Sequence, residues 1–196
     1  MDRYVPLLIA EGFALFPFPY MLVRRHFRKR GRDVAFVPFA MKNMGDVTVY
    51  AESIVRVADD ALCRSADGKF DLLGFSMGGV AGLYAVKRLG LAPYVRNFIA
   101  VGAPFRGTKL AYLGLPTLLY SPTGFQLMPE SPFLGQLHMD PLPPGPRYVS
   151  IAGDADMVCP PKATRLDGAK NIPLAFRHID LVFARDLYAT IDSFLE

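Results

Sequence analysis

A chain of 196 residues is long enough for one domain with a sizeable core. Apolar residues make up 52% and charged residues 20%, with a net charge of +4; the chain is greasy, yet it offers no run of roughly 20 apolar residues that would span a bilayer. Two cysteines, Cys63 and Cys159, make no disulfide framework and point to a reducing, cytoplasmic setting, with secretion or membrane association left open.

The first apolar run, Tyr4 to Ala10, reads as a strand buried on both faces. The longer stretch Tyr4 to Val23 is broken by Pro6, Glu11, Gly12, Pro17 and Pro19. Met1-Asp2-Arg3 carries no net positive charge and no small-x-small site follows, so a signal peptide is not expected. After a turn at Glu11-Gly12-Phe13, a helix is predicted over Tyr20 to Arg30, stopped by Gly31. Val34 to Phe39 is the second strand. Asp46 is placed to cap a helix over Val47 to Arg64 whose apolar face includes Val47, Ile54, Val57 and Ala61. Cys63 falls in this helix and is expected in the core.

Phe70 to Phe75 is the third strand, and a helix to about Leu89 follows it at once. Val95 to Val101, Arg147 to Ala152 and Ile172 to Arg177 are the fourth, fifth and sixth strands. A helix over Leu181 to Leu195 closes the chain. Strands alternating with helices predict an α/β fold, a mostly parallel sheet of about six strands with helices on both faces. Between the fourth and fifth strands, Phe105 to Pro146 is too long for an ordinary connection. It is rich in Leu, Pro, Gly, Phe and Tyr and reads as an apolar, lid-like insertion in a single domain covering 1–196.

The junction Gly74-Phe75-Ser76-Met77-Gly78 joins the third strand to its helix. A Gly-x-Ser-x-Gly at such a junction forces a tight, strained turn that lifts the serine hydroxyl out at the strand's C-terminal edge. A Cβ at Gly74 or Gly78 would collide across that turn, and Gly79 and Gly82 permit close helix–sheet approach. In an open parallel sheet, ligands bind beyond the C-terminal strand ends. The polar residues there are Glu11, Ser76, Asp154, Asp156 and His178.

A serine hydroxyl needs a base to take its proton. Of the three histidines, His26 falls in a basic helix end and is expected to be exposed. His138 lies in the insertion, and His178 follows the last strand, which makes it the candidate base. The base in turn needs a carboxylate. No acid occurs between Tyr94 and Met128, so the fifth strand's loop must supply it, and spacing leaves both Asp154 and Asp156 open. Two backbone N–H groups, from Met77 and from Phe13 after the first strand, are the candidate oxyanion donors. No metal or organic cofactor is required by this chemistry.

These segments resemble α/β-hydrolases, more narrowly lipases and carboxylesterases of the compact bacterial type. Gly74 to Gly79 is similar to the nucleophile elbow. Gly102 to Ala111 resembles the Thr-Pro-His-x-Gly-Thr segment after the next strand. Gln126 to Leu134 resembles a Gln-Met-x-Pro-Gly-Ser-x-Phe-Leu segment, and Gly153 to Val158 the acid loop Gly-x-x-Asp-x-Val. The resemblance implies a Ser76–Asp156–His178 triad, with Asp156 as the acid, acting on carboxylic esters with a hydrophobic acyl group. Two positions depart from the pattern: Glu11 stands where such enzymes often have His, and Phe105 where His is common. The rival readings are an acyl-CoA or acyl-carrier thioesterase and a non-catalytic binding protein on the same fold.

Basic residues cluster at Arg24, Arg25, Arg28, Lys29, Arg30 and Arg32. They read first as the solvated C-terminal end of a helix, where cations complement the dipole. The sharper reading is a patch for peripheral contact with an anionic membrane or an acidic carrier. No nucleic-acid motif accompanies the run, and nucleic acid is not an expected partner.

Overall fold

The computed structural model describes residues 5–12, 18–37, 46–112, 122–180 and 183–196. Six strands, β1 (Leu7–Ala10), β2 (Val34–Val37), β3 (Phe70–Phe75), β4 (Val95–Val101), β5 (Arg147–Gly153) and β6 (Lys170–Leu174), form one sheet in the order β2-β1-β3-β4-β5-β6. Every pairing is parallel. The central strands β1 and β3 are buried throughout, as their unbroken apolar runs require.

Helices cover both faces. On one side lie α2 (Val47–Arg64) and α3 (Met77–Arg88); on the other lie α1 (Phe18–Lys29) and α7 (Arg185–Leu195). Helical spacing accounts for what each buries. α1 turns Tyr20, Val23 and Phe27 inward, and α7 turns Leu187, Ile191 and Leu195. α2 buries Val47, Tyr50, Ala51, Ile54, Ala58 and Ala61. A fully buried side chain such as Phe27 contributes about 1.5–3 kcal/mol relative to an exposed one. Cys63, expected in the core, is exposed instead. It sits two residues beyond Ala61, roughly 200° around the helix from the buried face.

Helix boundaries follow local chemistry. Asp46 caps α2, its Oδ1 accepting from the Thr48 N–H at 2.7 Å and from the Thr48 hydroxyl at 2.7 Å. Gly31 ends α1 with φ 78, and Gly90 follows α3 with φ 81. The last strand is shifted from expectation: β6 covers Lys170–Leu174, not Ile172 to Arg177. As an edge strand it exposes Lys170, Asn171 and Pro173, so its start carries no apolar signal. Residues 175–177 instead fold back over β5, where a Cβ on Gly153 would strike the Phe176 carbonyl. The closing helix begins at Arg185, after a short turn over His178–Asp180 in which Arg177 pairs with Asp180 at 2.8 Å.

The segment between β4 and β5 carries a 3-10 turn at Lys109–Tyr112 and short helices α4 (Pro122–Gln126) and α5 (Pro132–His138). Leu127, Leu134 and Leu137 join the core formed by α2 and α3. Gln126 ties the segment to α2: its Nε2 donates to Asp46 at 2.8 Å, and its Oε1 accepts from the Val47 N–H at 2.9 Å. Helix α6 (Pro161–Thr164) bridges β5 and β6. Among the described residues no helix is long and apolar enough to cross a membrane.

Candidate active site

Every candidate residue that the structure describes lies at the C-terminal edge of the sheet. Ser76 joins β3 to α3 with φ 49 and ψ −121, a strained conformation for a residue with a side chain. Close packing fixes this turn. A Cβ on Gly74 would lie 2.5 Å from the Gly79 Cα, and one on Gly78 would strike the Ala10 carbonyl. Gly79 meets Ala103 in the same way, a Cβ there falling 2.6 Å from that side chain, while one on Gly82 would lie 3.1 Å from Phe98. The Ser76 N–H is tied to the Val101 carbonyl at 2.8 Å. Met77 opens α3, where a backbone N–H has no partner within the helix.

Past β6, His178 Nδ1 lies 2.7 Å from Asp156 Oδ2. The Asp156 side chain is fully buried, and its other oxygen accepts the N–H groups of Val158 at 2.9 Å and Cys159 at 2.7 Å. Both carboxylate oxygens are thus committed, which fixes the imidazole's orientation. Asp154, which spacing left as an alternative, is exposed. Beside Asp156, Met157 is almost wholly exposed and Val158 is half-buried.

The other histidines serve the fold. His138 Nε2 is 2.7 Å from the Phe105 carbonyl, and burial lowers its pKa from the ordinary value. His26, expected to be exposed, is largely covered: it lies 3.0 Å from Asp192 and stacks on Tyr188 between α1 and α7.

Phe13, the second candidate oxyanion donor, lies outside the described residues. Its neighbour Gly12 packs directly on Ser76, and a Cβ there would sit 2.9 Å from Ser76 Cβ. Two tyrosines that composition and spacing did not single out hold this loop. The Tyr20 hydroxyl accepts from the Gly12 N–H at 2.8 Å. The Tyr50 hydroxyl lies 3.0 Å from the Glu11 carbonyl and 3.1 Å from the Val37 carbonyl. Burial, and then the nearby Glu11 charge, push both phenols above their ordinary pKa; for Tyr20 the Gly12 hydrogen bond opposes this. Both stay protonated, and a local apolar pattern gives no sign of such long-range bonds.

Ser76 and His178 line one cavity of about 170 Å³ together with Met77, Pro104, Leu110, Leu127, Val158 and Cys159. Its described lining is mostly apolar, and more than half of those residues come from the segment between β4 and β5. Burial, and then the Asp156 charge, raise the Cys159 pKa and keep it a neutral thiol. Among the described residues no group of three His, Cys, Asp or Glu side chains is placed to hold a metal ion.

The basic cluster divides. Arg32 is buried and pairs with Asp71, and Arg30 pairs with Asp192 at 3.0 Å. Arg24, Arg25, Arg28 and Lys29 remain exposed along α1, beside Met21.

The sequence matches no family model and no curated protein. The fold does match solved structures. The mature form of a Bacillus licheniformis lipase superposes with a TM-score of 0.83 at 16% identity, covering 100% of this chain and 93% of that one. Its propeptide form superposes at 0.84 with 17% identity, and there this chain spans 51% of the longer polypeptide. Aspergillus fumigatus lipase B superposes at 0.82 with 16% identity, this chain covering 53% of its length. The six-stranded parallel sheet, the helices on both faces and these superpositions define the chain as an α/β-hydrolase fold.

Proposed function

We propose that the protein is a serine hydrolase that cleaves carboxylic esters of apolar acyl groups through an acyl-enzyme. The observation that carries this reading is the strained Ser76 and the Asp156-bound His178 opening into one apolar cavity. Ser76 Oγ attacks the acyl carbonyl, and His178 Nε2 takes its proton and returns it to the leaving alcohol. Asp156 fixes the tautomer and stabilises the imidazolium. The N–H groups of Met77 and Phe13 hold the tetrahedral oxyanion. Water activated by His178 then cleaves the acyl-enzyme and releases the acid. The apolar cavity wall suits a hydrophobic acyl group better than a polar one.

The test is labelling by a fluorophosphonate together with turnover of p-nitrophenyl esters of graded chain length. Wild type is expected to label once, at Ser76, and Ser76→Ala to lose both labelling and turnover. An unlabelled wild type ends the hydrolase reading, and turnover confined to acetyl esters ends the hydrophobic one. Assays on acyl-CoA separate the thioesterase alternative. It requires that charge reversal at Arg25 and Arg28 abolish acyl-CoA turnover while simple esters are still cleaved.

A further inference from the structure

Among the described residues, the hydroxyls lining the cavity are those of Ser76, Thr108 and Thr123. Ser76 serves the reaction proposed above. Thr108 Oγ1 donates to the Val158 carbonyl at 2.6 Å and accepts from the Leu110 N–H at 3.2 Å. Thr123, on α4, differs from both. It is 3% exposed, and its Oγ1 has no hydrogen-bond partner. Among the described residues it is the only buried side-chain nitrogen or oxygen in that state. Its backbone carbonyl accepts from the Leu127 N–H at 3.0 Å.

A buried hydroxyl without a partner costs stability, and valine, of the same shape, would fill an apolar wall without that cost. A threonine on a helix populates two χ1 rotamers, and rotation between them points Oγ1 in a different direction. The hydroxyl can therefore turn toward whatever enters the cavity. Met77, Leu110 and Leu127 line the same cavity with apolar side chains, so a hydrogen bond formed within it is shielded from water.

We propose that Thr123 is a specificity-determining residue whose hydroxyl bonds an oxygen on the substrate's otherwise apolar chain. The preferred substrates are then esters whose buried chain carries a hydroxyl or keto oxygen, because such a chain pairs a group that a plain chain leaves unpaired. This rests on the ester-hydrolase reading.

The experiment compares plain and oxygen-substituted esters in two series. One varies the acyl side, p-nitrophenyl octanoate against its hydroxy- and keto-octanoate counterparts. The other varies the alcohol side, octyl acetate against hydroxy-octyl acetates. The series that shows the preference identifies which side of the ester occupies the cavity. In Thr123→Val the ratio of kcat/KM for the oxygenated over the plain ester is expected to fall about tenfold. Thr123→Ser keeps the hydroxyl and is expected to retain the ratio. The Tm of Thr123→Val should equal or exceed that of wild type, since no bond is lost. A fall smaller than threefold in both series, an equal fall in Thr123→Ser, or a lower Tm in Thr123→Val overturns the proposal. These failures leave wild-type turnover of plain esters intact. Failure of the underlying reading shows instead as no ester turnover at all, and the proposal falls with it.

Discussion

At the scale of single residues, the site depends on groups whose partners are distant in sequence. Asp156 and His178 are 22 positions apart and meet at 2.7 Å. Tyr20 and Gly12 are linked from helix to loop at 2.8 Å, beside Ser76. Tyr20→Phe keeps the ring and leaves the Gly12 N–H without its acceptor. It is expected to lower stability by about 1–3 kcal/mol. Because the loop it frees packs on Ser76, turnover of a simple ester is also expected to fall. Urea denaturation and kcat measured on the same preparation check this, and unchanged values for both would remove Tyr20 from the positioning of the loop. Ser76 and His178 were legible as single letters because Gly-x-Ser-x-Gly and a histidine after the last strand are local patterns. Tyr20 and Tyr50 were not, since a tyrosine in an amphipathic helix reads simply as core.

At the scale of elements, α2 shows how one cap joins two parts of the chain. Its boundaries, Val47 to Arg64, agree with the sequence reading because an N-cap aspartate and a long apolar periodicity are both local. The sequence did not reveal that Gln126, 80 residues away, completes the cap. Burial pushes the Asp46 carboxyl up, but hydrogen bonds from Gln126 and Thr48 outweigh it, and its pKa lies below the ordinary carboxylate value. A depressed folded-state pKa contributes stability that is fully present above the unfolded value, about 3.9, and is lost as pH falls through the folded value. Asp46→Ala is therefore expected to cost about 1 kcal/mol at pH 7. The gap from wild type should close on acidification below about pH 4. Urea midpoints of the two proteins across that range test the sign; a gap that widens in acid contradicts it. The β6 boundary went the other way, because an edge strand that exposes Lys170, Asn171 and Pro173 has no apolar signature.

At the scale of the whole molecule, the sheet separates the edge that carries the candidate site from one that carries a buried ion network. Near its N-terminal edge Asp71, fully buried, accepts from Arg32 at 3.2 Å, from Arg96 at 2.8 Å and from Asn97 at 2.7 Å. A register shift between β3 and β4 sets an extra β4 residue opposite this point, so that Arg96 and Asn97 both reach Asp71. Arg32 and Arg96 also bond the Leu195 carbonyl, and Arg147 bonds that of Phe194 at 3.0 Å. The guanidinium groups thus cap the C-terminal end of α7 and tie it to the sheet. Removing the carboxylate takes away the buried counter-charge that Arg32 and Arg96 share, so Asp71→Ala is expected to lower stability by about 3–5 kcal/mol. The folded fraction should still label at Ser76, since the network lies at the opposite edge. An unchanged urea midpoint would show that the network contributes nothing to stability.

The sequence by itself determined the alternation of strands and helices, the elbow at Ser76 and the candidate base, because each depends on neighbours within a few residues. Spacing narrowed the candidate acid to two aspartates, and the resemblance favoured Asp156. Only the tertiary structure decided which aspartate stands against His178, because a hydrogen bond needs a distance and spacing supplies none. The same holds for the basic run along α1. As letters its arginines are equivalent, but packing buries Arg32 against Asp71, pairs Arg30 with Asp192 and leaves the rest in solvent. Burial and pairing are properties of the packed chain, and they assign to like residues different work.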